Sequence, residues 1–162
     1  MASGRTHEII NLVALPPIVY YFSPYDFSFF VGGYLVGTFL LTPDIDIYHS
    51  KPVQRWKFFK FIWKPYTKFS KHRGISHIPF YGSTIKIAYL FAIFLFLYFI
   101  IYWTANYFNI KLPFVIKGEN EIKALLLNIH TISFFFGLVI AEFVHIVVDI
   151  IYSSLKKLRI IR

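Results

Sequence analysis

The stretch that decides the fold is ALLLNIHTISFFFGLVIAEFVHIVVDIIY, residues 124–152. Its only charged residues are Glu142 and Asp149, and both lie in its second half. About 20 consecutive apolar residues are enough for an α-helix to cross the hydrocarbon core of a bilayer. The stretch therefore predicts a transmembrane helix whose acidic residues lie toward one membrane surface.

A second run, residues 84–104, carries a single charge and predicts another transmembrane helix. Two further apolar segments, residues 9–22 and 27–41, have about three-quarters of the length that a span needs. Prolines interrupt the first, as in a kinked helix sheltered by its neighbours, and the bulky residues after it argue against a signal-peptide cleavage site. We therefore expect an all-α membrane protein, one domain over residues 1–162, built as a bundle of four transmembrane helices.

The positions of the basic residues predict the orientation. Residues 43–83 carry eight of the seventeen Lys and Arg residues, and the tail after Tyr152 carries four more. The turn at 23–26 carries none, and residues 105–123 carry three, accompanied by two glutamates. Because Lys and Arg favour cytoplasmic segments, we expect a multi-pass protein of the cell (inner) membrane with both termini in the cytoplasm.

From Trp56 to Lys64, aromatic residues alternate with lysines at helical spacing. The lysines fall on one face of such a helix and most of the aromatic rings on the rest. This pattern predicts an interfacial helix on the cytoplasmic side, which binds membrane lipids either for anchoring or to steer a phosphorylated substrate. The net charge of +9 could suggest a nucleic-acid partner, but in a membrane protein the positions of the basic residues are more informative than their sum. No nucleic-acid partner is therefore expected.

The chain has no cysteine, so any bound metal must be held by His, Asp and Glu. These residue types lie at the expected cytoplasmic ends of the four apolar segments. The predicted metal ligands are His7, Asp44, Asp46, His72, His77, His145 and Asp149. Charged groups within a membrane cost about 2.5 to 3.5 kcal/mol each unless they are paired or bind a metal. A hydrogen-bonded polar seam between helices is the alternative to a metal site.

Glu142, His145 and Asp149 lie at i, i+3 and i+7, and therefore share one helical face. The full set of imidazoles and carboxylates matches two divalent cations with open positions for water and substrate, an arrangement suited to displacement at phosphorus. We expect a metal-dependent hydrolase of a phosphoester or phospholipid at the cytoplasmic surface. Glu142 is interpreted as a ligand, a partner of a ligand or the general base, and Arg73 as a candidate phosphate-binding residue.

Two other functions fit the same residues. Glu142 and His145 have the Glu-x-x-His spacing of di-iron carboxylate oxidoreductases, although such sites normally use two such pairs. Alternatively, the metal stabilises short helices in a non-catalytic structural or adaptor protein. His130 belongs near the opposite membrane face, and His49 is interpreted as a solvated loop residue.

Five segments carry a resemblance to a known family: Ser3-Gly4-Arg5-Thr6-His7, Pro43-Asp44-Ile45-Asp46, Arg55-Trp56 to Trp63-Lys64-Pro65-Tyr66, His72-Arg73-Gly74-Ile75-Ser76-His77, and His145 to Asp149. Together they resemble an uncharacterised family of metal-binding membrane proteins. That family is related to membrane-bound metal-dependent hydrolases and is remotely similar to zinc-dependent phospholipase C, whose helical His-x-x-x-Asp pair is matched by His145 and Asp149. The resemblance implies zinc and phosphoester cleavage, so we expect the two cations to be zinc, with manganese or iron as alternatives. The further His-x-x-x-Glu pair of the soluble enzymes is missing, which argues against a three-metal cluster.

Overall fold

The computed structural model describes residues 4–70, 74, 77–112 and 118–158. The helices are α1 (Gly4–Phe22), α2 (Phe27–Phe39), α3 (Lys51–Arg55), α4 (Trp63–Phe69), α5 (Tyr81–Tyr107), α6 (Glu119–Leu126) and α7 (Ile129–Lys157). Two 3-10 segments, Pro43–Asp46 and Lys57–Ile62, connect α2 to α3 and α3 to α4. No strand occurs in the described ranges, which agrees with the predicted all-α class.

Two of the described helices, α5 with 27 residues and α7 with 29, are long and apolar enough to cross a membrane. At 1.5 Å per residue each exceeds the roughly 30 Å of a hydrocarbon core. The apolar helix α2 has only 13 residues, and α1 contains both prolines of its segment. The arrangement of four spans therefore stays a prediction.

The closest helix contact joins α2 and α7 at glycines. A Cβ atom added to Gly33 would lie 1.9 Å from the carbonyl oxygen of Phe134, and one added to Gly137 would lie 2.0 Å from that of Phe30. Only residues without a side chain let two helix backbones approach so closely. This contact packs the first half of α7 along α2.

Helix α1 is held against α2 by polar groups within its first half. The buried Tyr34 hydroxyl donates to the backbone carbonyl of Asn11 over 3.0 Å. The two residues that α1 buries are His7 and Asn11, four positions apart on one helical face. This pairing directs His7 toward the interior at the start of the chain.

The segment after α2 folds back over the ends of the long helices. Five of its residues form a hydrophobic core with Leu138 of α7: Leu41, Ile45, Val53, Trp63 and Tyr66. Arg55 Nη1 donates to the carbonyl of Phe39 over 3.1 Å, and Trp56 Nε1 donates to that of Leu40 over 3.3 Å. Side chains thus satisfy carbonyls that the end of α2 leaves without helical partners. The 3-10 segment at Pro43 is thereby fixed beside α7.

The predicted interfacial helix differs in detail from the structure. Lys57 adopts a positive φ of 48°, and residues Lys57–Ile62 form a 3-10 segment before α4 begins at Trp63. Residues other than glycine rarely adopt a positive φ, and α-helical residues have a negative φ. The chain therefore does not form one continuous α-helix here. Three phenylalanines, Phe58, Phe59 and Phe61, are exposed as expected of an interfacial segment, whereas Trp63 is fully buried in the core.

At the opposite end of the molecule, Asp26 caps the start of α2 by accepting a hydrogen bond from the Phe29 amide over 3.2 Å. Its carboxylate also pairs with His130 in the first turn of α7. The hydrogen bond with His130 lowers the pKa of Asp26 below its ordinary value. The short turn between α1 and α2 is therefore tied to the beginning of α7, far from His145.

Candidate metal centre

Four elements deliver the candidate ligands to one place. His7 lies in the second turn of α1, Asp44 in the 3-10 segment after α2, and His77 just before α5. His145 and Asp149 lie four residues apart on α7, so they share a helical face. The structure brings these five residues together.

The tightest group consists of Asp44, His77, His145 and Asp149, whose ligand atoms all lie within 4.8 Å of one another. Nε2 of His145 lies 3.7 Å from Oδ2 of Asp44 and 4.0 Å from Oδ2 of Asp149. Nε2 of His77 lies 3.9 Å from both Oδ1 of Asp44 and Oδ2 of Asp149. Two imidazoles and two carboxylates thus offer ligand atoms that are close enough together to hold one metal ion.

His7 lies at the edge of this group. Its ring stacks on that of His145, with centroids 3.9 Å apart and planes inclined by 13°. Its Nε2 atom lies 3.3 Å from Oδ1 of Asp149. Both histidines are buried, so the stacking fixes their rings beside the carboxylates.

The spacing of these atoms fits a cation better than direct hydrogen bonds. Separations of 3.7 to 4.0 Å within the group of four exceed ordinary hydrogen-bond lengths. Ligands bonded to zinc at about 2.0 to 2.2 Å in tetrahedral geometry lie about 3.3 to 3.6 Å apart, so a small inward shift suffices. Asp44 Oδ1, His145 Nε2 and both Asp149 carboxylate oxygens are buried without a hydrogen-bond partner among the described residues. The residues present therefore fit a bound divalent metal.

The charge state of Asp44 also suits a ligand. Burial raises the pKa of this carboxyl, but its pairing with His145 and the nearby His7 and His77 outweigh burial, so the pKa is lowered overall. Asp44 is consequently ionised at neutral pH, which is the form that binds metals.

The sequence matches a known protein family. Residues 2–159 match a family described as "Uncharacterized metal-binding protein (DUF2227)". The chain belongs to this family. A relative from Aquifex aeolicus (strain VF5), described as "Uncharacterized protein", is 42% identical over 137 residues, which cover 83% of this chain and 97% of the relative. No solved structure matches the chain.

Membership of this family confirms the predicted resemblance to an uncharacterised family of metal-binding proteins. The His and Asp group provides a place where a metal can bind. The relationships to hydrolases and to phospholipase C stay predictions.

Asp46 lies behind His77. Its Oδ2 is 3.7 Å from Nδ1 of His77, whereas the other ring nitrogen of His77 faces Asp44 and Asp149. A carboxylate in this place orients an imidazole and increases its basicity as a ligand. The structure thus puts Asp46 next to the group of four, and its direct coordination stays a prediction.

Glu142 is also outside the group of four, although it lies one helical turn before His145. The fully buried carboxylate pairs with Nζ of the fully buried Lys86 over 2.5 Å and accepts a hydrogen bond from Ser83. Lys86 Nζ also donates to the carbonyl of Leu41 over 2.9 Å. No role was predicted for Lys86 from the sequence, although a single lysine in an apolar span signals a buried partner.

The other predicted site residues have different outcomes. His72 and Arg73 lie outside the described residues. His130 pairs with Asp26 away from the metal centre, as its distance of fifteen residues from His145 predicts. His49 is exposed.

Proposed function

We propose that the protein is a membrane-bound, metal-dependent hydrolase that cleaves a phosphoester or phospholipid at the cytoplasmic membrane surface. The observation that carries the proposal is the convergence of Asp44, His77, His145 and Asp149 from three separate segments. The buried His145 and Asp149 have unsatisfied ligand atoms, which are costly in the interior, and a bound cation compensates for that cost.

A groove beside the ligands supports catalysis over a purely structural metal. It encloses about 410 Å³ and is lined by His77, Ile146, Asp149, Ile150, Ser153 and Ser154. Catalytic metal sites need an open position, whereas structural sites are closed by protein ligands. Isoleucines along the groove suit the apolar part of a phospholipid, and the two serines suit its polar part.

Two divalent ions, zinc in preference to manganese or iron, are part of the proposal. When bound, such ions would polarise a phosphoryl oxygen and favour ionisation of the attacking water. Asp44, His77, His145 and Asp149 would hold the first ion, and His7, Asp46 and His72 complete the proposed set of ligands. Arg73 is proposed to bind the substrate phosphate.

Glu142 is proposed as a supporting partner of His145. Its pairing with Lys86 and Ser83 favours this role over those of ligand or general base. The same pairing weakens the di-iron alternative, because that chemistry needs the Glu142 carboxylate on the metal.

A membrane location is proposed from α5 and α7. No residue of α5 between Lys86 and Ala105 is buried, and its exposed rings suit a lipid environment. Basic residues follow α7 and populate the segment between α2 and α5, so the proposed orientation places the metal centre and both termini in the cytoplasm. The proposed partners are membrane lipids and a phosphoester or lipid substrate.

A non-catalytic, metal-stabilised structural or adaptor protein is the second candidate. It is favoured by the fact that the candidate ligands connect α1, the Pro43–Asp46 segment and α7. A metal joining these elements would crosslink the molecule whether or not it performs chemistry.

The test is metal analysis and hydrolysis by the protein purified in detergent. We expect bound divalent metal and cleavage of bis(p-nitrophenyl) phosphate or phospholipid vesicles, with both lost after chelation. His145→Ala should weaken metal binding by more than the roughly 10- to 100-fold typical of losing an outer-shell partner. His49→Ala, which changes an exposed histidine, should leave both metal content and hydrolysis unchanged.

Each other outcome has a defined meaning. Bound metal without hydrolysis of any substrate would favour the structural role. Iron with a visible absorption band would favour the oxidoreductase. Protein that contains no metal and takes none up on reconstitution would refute all three functions.

A further inference from the structure

A second, much smaller cavity adjoins the metal centre. It encloses about 10 Å³, and its lining includes His7, Glu8, Thr38, Thr42, Asp44 and His145. It shares no lining residue with the groove at His77 and Asp149. Because a single water needs about 10 to 15 Å³, this cavity has room for one water or one ion and for nothing larger.

Four side-chain atoms of the residues that line this cavity lack partners among the described residues. Oγ1 of Thr38, Oγ1 of Thr42, Nδ1 of His7 and Oδ1 of Asp44 are buried without a hydrogen bond to any described residue. Thr38 is only 2% exposed and Thr42 only 4%. Native proteins rarely leave such groups unsatisfied, and four around one small cavity indicate an occupant.

The two threonines behave differently from others in the same chain. Thr84 and Thr104 each donate to a backbone carbonyl four residues earlier, at Phe80 and Ile100. This bond is the usual way for a helical threonine to satisfy its hydroxyl. Thr38 also lies in a helix, yet its hydroxyl makes no such bond.

We propose that the cavity is a second cation site, in which Thr38 and Thr42 join His7 and Asp44 as ligands. This would be the second ion of the proposed pair, and three oxygen donors with one imidazole also suit Mn²⁺, the manganese alternative to zinc. Glu8 is excluded from the ligand set because its carboxylate pairs with Arg55 over 2.9 Å. Asp44 would bridge this ion and the one held with His77, His145 and Asp149. This inference rests on the proposed metal centre and is independent of hydrolysis.

The experiment titrates metal-stripped protein in detergent with Mn²⁺, and reads bound metal by mass spectrometry and electron paramagnetic resonance. We expect two ions per wild-type chain, with the spectrum of a coupled pair. Thr38→Val and Thr42→Val, which keep the side-chain shape and remove the hydroxyl, should each bind one ion with an uncoupled spectrum. Thr38→Ser keeps the hydroxyl and should bind two, and Thr84→Val is the matched control.

One ion in wild type and Thr38→Val alike would overturn the proposal and assign the cavity to water. An equal loss in Thr38→Ser and Thr38→Val would also overturn it, since packing rather than the hydroxyl would then be responsible. Circular dichroism and gel filtration check that each variant is folded. Two bound ions without hydrolysis would refute the proposed function and leave this site intact.

Discussion

Lys86 and Glu142 form a fully buried ion pair between α5 and α7, one helical turn from the metal centre. Desolvating two charges is costly, and their mutual attraction offsets the cost only when both are present. The pair therefore adds little net stability as a unit, but either residue alone would be strongly destabilising.

Lys86→Met should lower the free energy of unfolding by about 3 to 5 kcal/mol, because it leaves the Glu142 carboxylate buried without its cation. Adding Glu142→Gln should restore much of that loss. Unfolding of the purified protein in mixed micelles, followed by circular dichroism, measures both. Lys123→Met is the control, since its pair with Glu119 is exposed and contributes less than about 1 kcal/mol. Equal effects of the two lysine substitutions would contradict this account.

At the scale of residues, the sequence predicts much of the metal centre. The spacing of His145 and Asp149 places both on one helical face. The positions of His7, Asp44 and His77 beside the ends of the apolar segments predict that they meet at the same end. Thr38 and Thr42 were missed because a hydroxyl normally bonds its own backbone, and only coordinates reveal that these two do not.

At the scale of elements, the contact between α2 and α7 depends on glycine. Gly33→Ala would bring a Cβ atom to 1.9 Å from the Phe134 carbonyl oxygen, which belongs to the backbone and cannot rotate away. The helices must separate, and we expect a loss of about 1 to 3 kcal/mol or more in unfolding free energy.

The neighbouring Gly32→Ala is the matched control, because its Cβ would meet only a Phe134 ring carbon at 4.0 Å. A shift in thermal denaturation confined to Gly33→Ala supports the close contact. Similar midpoints for the two variants would show that the helices are farther apart than described.

Element boundaries show where sequence patterns are informative. The sequence identifies α5 and α7, because the length of an uninterrupted apolar run can be read from composition alone. The start of α1 at Gly4, which places His7 inside the helix, lies before the apolar run that begins at residue 9. The 3-10 segment at Lys57 depends on packing of Trp63 in the core, which no local periodicity encodes.

At the scale of the whole molecule, membrane topology is directly testable because the chain has no cysteine. Tyr25→Cys, Asn109→Cys and His49→Cys each place one thiol at an exposed position. With the metal centre in the cytoplasm, an impermeant maleimide should label the first two in intact spheroplasts and His49→Cys only after lysis. The pairing of Asp26 with His130 ties the Tyr25 turn to the same end as the start of α7.

Labelling of Tyr25→Cys together with His49→Cys would mean that α1 and α2 do not each cross the membrane. Labelling of all three in intact spheroplasts would argue against a membrane-spanning chain. Blocking by a permeant maleimide beforehand controls for thiol reactivity in each variant.

The stacking of His7 on His145 joins the first helix to the last. The two histidines are 138 positions apart in the sequence. During translation, His7 therefore leaves the ribosome long before His145 is synthesised. The pocket can therefore assemble only after nearly the entire polypeptide has been translated and its final helix has formed. Ion uptake would then report complete biosynthesis, and truncated products would not sequester metal.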